Sequence, residues 1–149
     1  MTPENDLEVA PETREKLRSY LGEQADVLVA YVFGSRAEGR SRERSDLDVA
    51  VLLSTEDAQE RFERWLDLLS KLADVCECEV DVVVLNDAPP LLQQEAIKNG
   101  RVIIEADRRA RVDFEVEVGK INADLGPVRR FYRRALFEEI KKEGLGGHR

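Results

Sequence analysis

Two hydrophobic segments separated by a polar loop constrain the fold of this chain most strongly. The first, Val27–Phe33, is almost wholly apolar and rich in valine, which is typical of a buried strand. It ends at Gly34-Ser35, and ten mostly polar residues follow. The second segment, residues 46–53, alternates between two faces, with Asp46 and Asp48 on one and the aliphatic side chains on the other. We therefore predict two strands joined by a polar loop.

The paired carboxylates of Asp46 and Asp48 indicate a cation site. Residues two positions apart in a strand share a face, with carbons about 6–7 Å apart. At an effective dielectric constant near 20, two such charges repel each other by roughly 2–3 kcal/mol. A divalent cation between them attracts both carboxylates and removes this repulsion, so the pair favours cation binding. The Gly34-Ser35 turn would offer backbone N–H groups to a phosphate. The combination predicts a metal–nucleotide site.

A third carboxylate is predicted in the strand at residues 79–85. Its alternation sets Val80, Val82 and Val84 on one face and Asp81 on the other. Strand interiors disfavour aspartate, and a buried unpaired carboxylate is costly, so Asp48 and Asp81 are hard to explain by packing alone.

Further elements follow from periodicity and end signals. Helices are predicted at residues 11–22, after the cap-type sequence of residues 54–57, and from Pro89-Pro90 to Asn99-Gly100. A short strand is predicted at Arg101–Glu105. Residues 112–118 fit both a strand and an i,i+4 helical stripe, and we favour a helix that continues to Leu125. A break at Gly126-Pro127 precedes a last helix with one apolar face, formed by Val128, Phe131, Tyr132, Ala135, Leu136 and Ile140.

Composition limits the class of protein. The 149 residues suit a single domain, and no apolar stretch is long enough to cross a membrane. The polar, acidic N-terminus does not resemble a signal peptide, so we expect a cytoplasmic protein. The net charge of −8, from 23 basic and 31 acidic residues, disfavours nucleic acid as the main partner. Arg36, Arg40, Arg42 and Arg44 could still form a basic patch beside the phosphate turn, or simply a solvated loop.

The histidine and cysteine content narrows the chemistry further. His148 is the single histidine and lies in the C-terminal tail, which argues against Ser–His–Asp hydrolysis. Cys76 and Cys78, read as part of a strand, suit neither a relaxed disulfide nor a complete zinc site. Two buried, reduced thiols are the expected state.

The spacing of these motifs resembles a known family. The sequence Phe-Gly-Ser-Arg-Ala-x-Gly, followed by Ser-Asp-Leu-Asp-Val-Ala-Val-Leu and by the later strand containing Asp81, is similar to the nucleotidyltransferase superfamily typified by DNA polymerase β. The short length makes it resemble the minimal nucleotidyltransferases, which often serve as the antitoxin in HEPN–MNT toxin–antitoxin modules. The resemblance runs from about residue 26 to residue 105, and weakly into the helices at about 107–143.

The resemblance implies an α+β fold, a small mixed β-sheet flanked by helices and followed by C-terminal helices, in a single domain spanning 1–149. It also implies roles for individual residues. Gly34, Ser35 and Arg36 would bind the triphosphate, and Asp46, Asp48 and Asp81 would be catalytic ligands of two Mg²⁺ ions, with Asp81 also a candidate general base.

The function implied by the resemblance is transfer of AMP from ATP to a tyrosine of a cognate HEPN ribonuclease toxin, in a hetero-oligomer with that toxin. Two alternatives remain open. One is adenylylation of a small hydroxylated molecule such as an aminoglycoside. The other is a non-catalytic antitoxin that only masks the toxin, although a pure binder gains nothing from clustered carboxylates that repel one another.

Overall fold

The computed structural model describes residues 10–33 and 47–124, together with residues 134, 135 and 138. Helices and strands in the first two ranges occur in the order α1 (Pro11–Gly22), β1 (Val27–Phe33), β2 (Leu47–Leu53), α2 (Ala58–Cys76), β3 (Val80–Val84), a 3₁₀ turn (Leu85–Asp87), α3 (Pro90–Asn99), β4 (Arg101–Glu105) and α4 (Arg108–Asp124). Residues 134, 135 and 138 are helical, and the remainder of the predicted last helix lies outside the described residues.

The four strands form one mixed sheet in the order β3-β2-β1-β4. Strand β1 is antiparallel to both β2 and β4, whereas β2 and β3 are parallel. Because parallel neighbours need a crossover, α2 connects β2 to β3 across one face of the sheet. The predicted α+β fold with a small mixed sheet is confirmed.

Helices cover both faces of the sheet, and each face has its own apolar cluster. On the first face, α1 and α2 pack against the aliphatic residues of β2 that were predicted to lie on this side. The helices contribute Leu17, Leu21, Leu68 and Leu72, and β2 contributes Leu47, Val49, Val51 and Leu53. On the second face, residues of α3 and α4 pack against Val29, Tyr31, Phe33, Ala50 and Leu52. The predicted division of β2 and β3 into two faces is confirmed.

Local sequence signals explain where the helices begin and end. The Asp57 side chain caps α2 by accepting hydrogen bonds from the backbone N–H groups of Gln59 and Glu60. Helix α3 begins at Pro90, where the missing N–H costs no hydrogen bond, and it stops before Gly100. None of the described helices has the length and apolar character needed to cross a bilayer.

The ambiguous segment after β4 is a helix, as the favoured interpretation predicted. Phe114 and Val118 of α4 face the sheet and α3, and Asn122 donates a hydrogen bond to the Pro90 carbonyl oxygen. Val112 and Val116, which a strand would have placed with Phe114 and Val118, are instead exposed.

The prediction that Cys76 and Cys78 lie in a strand is wrong. Cys76 is the last residue of α2, because it continues the buried i,i+4 stripe of Leu68 and Leu72. Glu77 then ends the helix in the left-handed conformation, with φ 57°. Both cysteines are free thiols, as expected, but only Cys76 is buried and Cys78 is half-buried. Burial raises the pKa of Cys76 to about 12.

Trp65 covers part of an exposed sheet edge. Strand β3 is outermost, and Trp65 Nε1–H donates a hydrogen bond of 2.8 Å to the Val82 carbonyl oxygen. An unprotected edge carbonyl is a template for pairing with another chain, so this indole both fixes α2 and blocks strand addition.

We expect Trp65→Phe to lower the free energy of unfolding by about 1–2 kcal/mol, because the ring is largely kept while the Val82 carbonyl loses its donor. Urea unfolding followed by circular dichroism measures this, since Trp65 is the only tryptophan and its fluorescence is lost in the variant. The control is Phe62→Leu on the exposed face of the same helix, which should change little. An unaltered unfolding midpoint in Trp65→Phe would contradict the assignment.

Candidate functional site

Two of the three predicted catalytic carboxylates are direct neighbours across the parallel strands. Asp48 and Asp81 are each the second residue of their strand, and they are register partners in the β2–β3 pairing. Register partners on adjacent strands point to the same face, with backbones about 4.8 Å apart. Asp48 is half-buried and Asp81 is exposed, so the pair opens towards solvent.

The end of β1 lies on the other side of Asp48. Phe33, the last residue of β1, is the register partner of Asp48 in the antiparallel β1–β2 pairing. Gly34 follows Phe33 directly in the sequence, so the chain enters the predicted phosphate loop beside Asp48. Asp46, which precedes β2, and the predicted nucleotide-binding residues Gly34, Ser35 and Arg36 lie outside the described residues.

The donor chemistry of the described part of the site fits magnesium. Carboxylate oxygens are the ligands that Mg²⁺ prefers, and two of them converge here on one face of the sheet. Within residues 10–33 and 47–124, no group of three His, Cys, Asp or Glu side chains is close enough to hold a metal ion. Mg²⁺ is commonly held by one or two carboxylates together with substrate phosphates and waters, and Asp46 is the predicted third protein ligand.

Gly100 packs tightly against the end of β1, which the sequence analysis missed. It was identified only as the signal that ends α3. A Cβ atom at this position would collide with the Ala96 carbonyl oxygen and would lie 3.1 Å from both Phe33 Cβ and the Val32 carbonyl oxygen. The absence of a side chain at Gly100 thus lets β4 and α3 close onto the strand end that borders Asp48.

A buried tyrosine ties α4 to the sheet on the same face as the carboxylate pair. The Tyr31 hydroxyl donates a hydrogen bond of 2.6 Å to Glu115 Oε2, and Arg111 Nη1 binds both oxygens of Glu115 at 3.2 Å. Arg111 Nε also donates to Glu105 of β4 at 2.9 Å. Tyr31 and Glu115 are 84 residues apart, and the only hint in the sequence is a phenol within an otherwise apolar strand.

This environment raises the pKa of Tyr31 far above its ordinary value of 10.0, chiefly through burial and then through the hydrogen bond to Glu115. The unfolded chain ionises this phenol near pH 10 while the folded chain keeps the proton. The stabilisation is complete below pH 10, and we expect it to fall by up to about 1.4 kcal/mol per pH unit above that value.

Tyr31→Phe should lower the free energy of unfolding by about 1–2 kcal/mol at neutral pH, because Glu115 loses one of its donors. The difference from the wild type should shrink between pH 10 and pH 11.5. Urea unfolding across this range measures both effects. A difference that does not vary with pH would contradict the assigned protonation of Tyr31.

A separate cavity of about 700 Å³ lies towards the opposite end of the sheet. Its walls include Leu28 at the start of β1, Leu53 at the end of β2, and Phe114 of α4. Leu53 is five residues beyond Asp48, which is about 16 Å along an extended strand, so this cavity is distinct from the carboxylate pair.

Comparisons with known proteins give matches to one family and to its fold. The family model described as Polymerase beta, Nucleotidyltransferase matches residues 15–109. A curated relative, protein adenylyltransferase MntA of Shewanella oneidensis (strain MR-1), is 37% identical over 71 residues, which are 48% of this chain. The matched part spans about half of that relative's length, 49%.

Two solved structures are also similar. A toxin–antitoxin complex crystallised with AMP-PNP contains a chain with a TM-score of 0.64 and 26% identity, and the match covers 83% of this chain and 98% of that one. A complex of tri-AMPylated Shewanella oneidensis HEPN toxin with its MNT antitoxin gives a TM-score of 0.60 and 25% identity, covering 84% of this chain and 96% of that one.

Proposed function

The chain belongs to the polymerase β nucleotidyltransferase family, and we propose that it is an antitoxin that transfers AMP from ATP to a tyrosine hydroxyl of a HEPN ribonuclease toxin. The observation that carries the proposal is the register pairing of Asp48 with Asp81 beside the end of β1. A relative named protein adenylyltransferase and a similar structure containing an AMPylated HEPN toxin support this choice of donor and acceptor.

In this proposal, Asp46, Asp48 and Asp81 hold Mg²⁺, with two ions as the expected number. Bound magnesium would offset the charge of the triphosphate and lower the pKa of the acceptor hydroxyl. Without it, the Asp48 and Asp81 carboxylates repel each other and repel the phosphates, so nucleotide binding and metal binding should depend on each other.

The protein's own groups position the reactants. The backbone N–H groups of Gly34 and Ser35 donate to the β- and γ-phosphates, and Arg36 adds positive charge next to them. Asp81, which is exposed, accepts the proton of the tyrosine hydroxyl. The phenol oxygen attacks the α-phosphorus, and the bond from that phosphorus to the oxygen bridging the α- and β-phosphates breaks. Pyrophosphate leaves, and AMP remains on the tyrosine.

The charge of the chain favours a protein acceptor. A net charge of −8 opposes binding of a polyanion, because phosphate contacts require positive charge. A ribonuclease must itself present a basic surface to its RNA, so an acidic antitoxin complements it.

The test is intact-mass analysis of the cognate HEPN toxin, after incubation with the purified chain, ATP and Mg²⁺. We expect the toxin to gain AMP, and we expect EDTA to prevent this. Unmodified toxin that is nevertheless inhibited in the complex would identify a non-catalytic antitoxin. Unmodified toxin together with labelling of an aminoglycoside would identify a small-molecule adenylyltransferase. Either result would refute the proposal.

A further inference from the structure

Two large apolar side chains are exposed side by side on the outer surface of α2. Phe62 and Leu66 are 53% and 48% exposed, and they are one helical turn apart, so they form one continuous apolar surface. We call this pair the α2 patch. Exposed neighbouring apolar residues on a surface helix are typical of a binding surface.

The α2 patch is held rigidly beside the strand that carries Asp81. The ring of Phe62 contacts that of Trp65, with centroids 5.7 Å apart. Trp65 is in turn hydrogen-bonded to the carbonyl oxygen of Val82, the residue that follows Asp81 in β3. Because α2 covers the face of the sheet opposite to the carboxylates, a protein seated on the patch would reach Asp81 around the β3 edge. A rigid aromatic anchor loses little conformational entropy when a partner binds.

Uncompensated negative charge lies on the same helix as the α2 patch. Each of the three basic residues of α2 is in an ion pair: Arg61 with Asp87, Arg64 with Asp26 and Asp67, and Lys71 with Asp67. Glu60, Glu63 and Asp74 of the same helix are exposed, and they form no ion pair within the described part of the chain. The uncompensated charge of this surface is therefore acidic.

We infer that the α2 patch is the docking surface for the toxin, which rests on the proposed function. The chemistry that fits it is an apolar residue or pocket framed by lysine and arginine. Such basic surfaces belong to proteins that bind RNA. Apolar contacts with Phe62 and Leu66 supply affinity, and the carboxylates of the same helix steer the approach of the toxin.

A second exposed pair provides a matched control. Val112 and Val116 of α4 are 41% and 54% exposed and are also one turn apart. They lie on a helix that covers the opposite face of the sheet. Exposed charges near them include an Arg109–Asp113 ion pair, so both signs are present around the α4 pair.

The experiment compares Phe62→Ser/Leu66→Ser with Val112→Ser/Val116→Ser. Affinity for the cognate HEPN toxin is measured by calorimetry without ATP, and steady-state AMP transfer is measured separately. We expect the α2 variant to bind at least about 30-fold more weakly, as is usual for loss of a central aromatic anchor. Its KM for the toxin should rise while kcat and the affinity for AMP-PNP stay unchanged. The α4 variant should behave like the wild type.

A charge-reversal variant tests the acidic charge of this helix. Glu60→Lys/Glu63→Lys should slow association by about tenfold at low salt, and the difference from the wild type should shrink as salt is added.

Three outcomes would overturn the inference. In the first, the α2 variant binds the toxin with wild-type affinity. In the second, only the α4 variant loses affinity for the toxin. In the third, the α2 variant self-associates differently while its affinity for the toxin is unchanged. Failure of the proposed function gives a different pattern: the wild-type chain binds the toxin but adds no AMP. The calorimetric comparison remains decisive in that case, because it contains no ATP.

Discussion

Asp48→Asn is expected to reduce AMP transfer at least about 100-fold, because it removes a charged metal ligand from the centre of the proposed site. Asparagine keeps the size and the strand position of the side chain, so β2 should still pair with β1 and β3. The loss should appear in kcat/KM for ATP. Asp46→Ala should have a similar effect, because it removes another proposed ligand.

Metal-dependent stability gives Asp48→Asn a second readout. Mg²⁺ with AMP-PNP should raise the melting temperature of the wild type through ligand linkage and should raise that of the variant little.

The control for this prediction is Asp113→Asn, which removes an exposed carboxylate of α4 whose ion pair with Arg109 is open to solvent. It should retain full activity. AMP transfer by Asp48→Asn at the wild-type rate would refute the role of the carboxylate pair.

Gly100→Ala is expected to destabilise the fold by about 1–3 kcal/mol, the usual range for overpacking. The added methyl group would meet the Ala96 carbonyl oxygen and crowd Phe33, and backbone atoms cannot rotate away as a flexible side chain can. Because Phe33 pairs with Asp48, the displacement should also lower AMP transfer beyond what the lost stability explains. Thermal unfolding and kinetics on the folded fraction measure the two effects.

Gly119→Ala is the matched control and should act in the opposite direction. Gly119 lies within α4, and a Cβ there would meet nothing within 4 Å. Alanine is favoured over glycine in a helix interior by about 0.5–1 kcal/mol, so the variant should be slightly more stable. A destabilisation of Gly100→Ala no larger than that of Gly119→Ala would contradict the close approach at Gly100.

Alternation and end signals were sufficient to predict most of the sheet. The faces of β2 and β3 follow from a repeat of two residues, and Pro90 and Gly100 mark the limits of α3. The strand interpretation of Cys76 and Cys78 fails because Cys76 fits the end of a helical stripe. Leu68 and Leu72 begin that buried stripe, and Cys76 continues it as part of the helix.

The sequence predicted the carboxylates of the site better than the contacts that hold the surrounding elements in place. Asp48 and Asp81 stood out because strands disfavour aspartate, and their pairing follows once both strands are parallel and begin together. The Tyr31–Glu115 hydrogen bond and the packing of Gly100 on Phe33 join distant parts of the chain. Such contacts depend on how α3 and α4 cross the sheet, which no local pattern specifies.

In the inferred docking mode, the crossover through α2 separates the reaction from recognition. Strands β2 and β3 start together, with Leu47 opposite Val80, and the hydrogen bond from Leu47 N–H to the Glu79 carbonyl oxygen fixes this start. The outward side chains of α2 take no part in that alignment. Substitutions there can therefore retune which protein is modified without moving the acidic groups, so one catalytic scaffold could serve many different toxins.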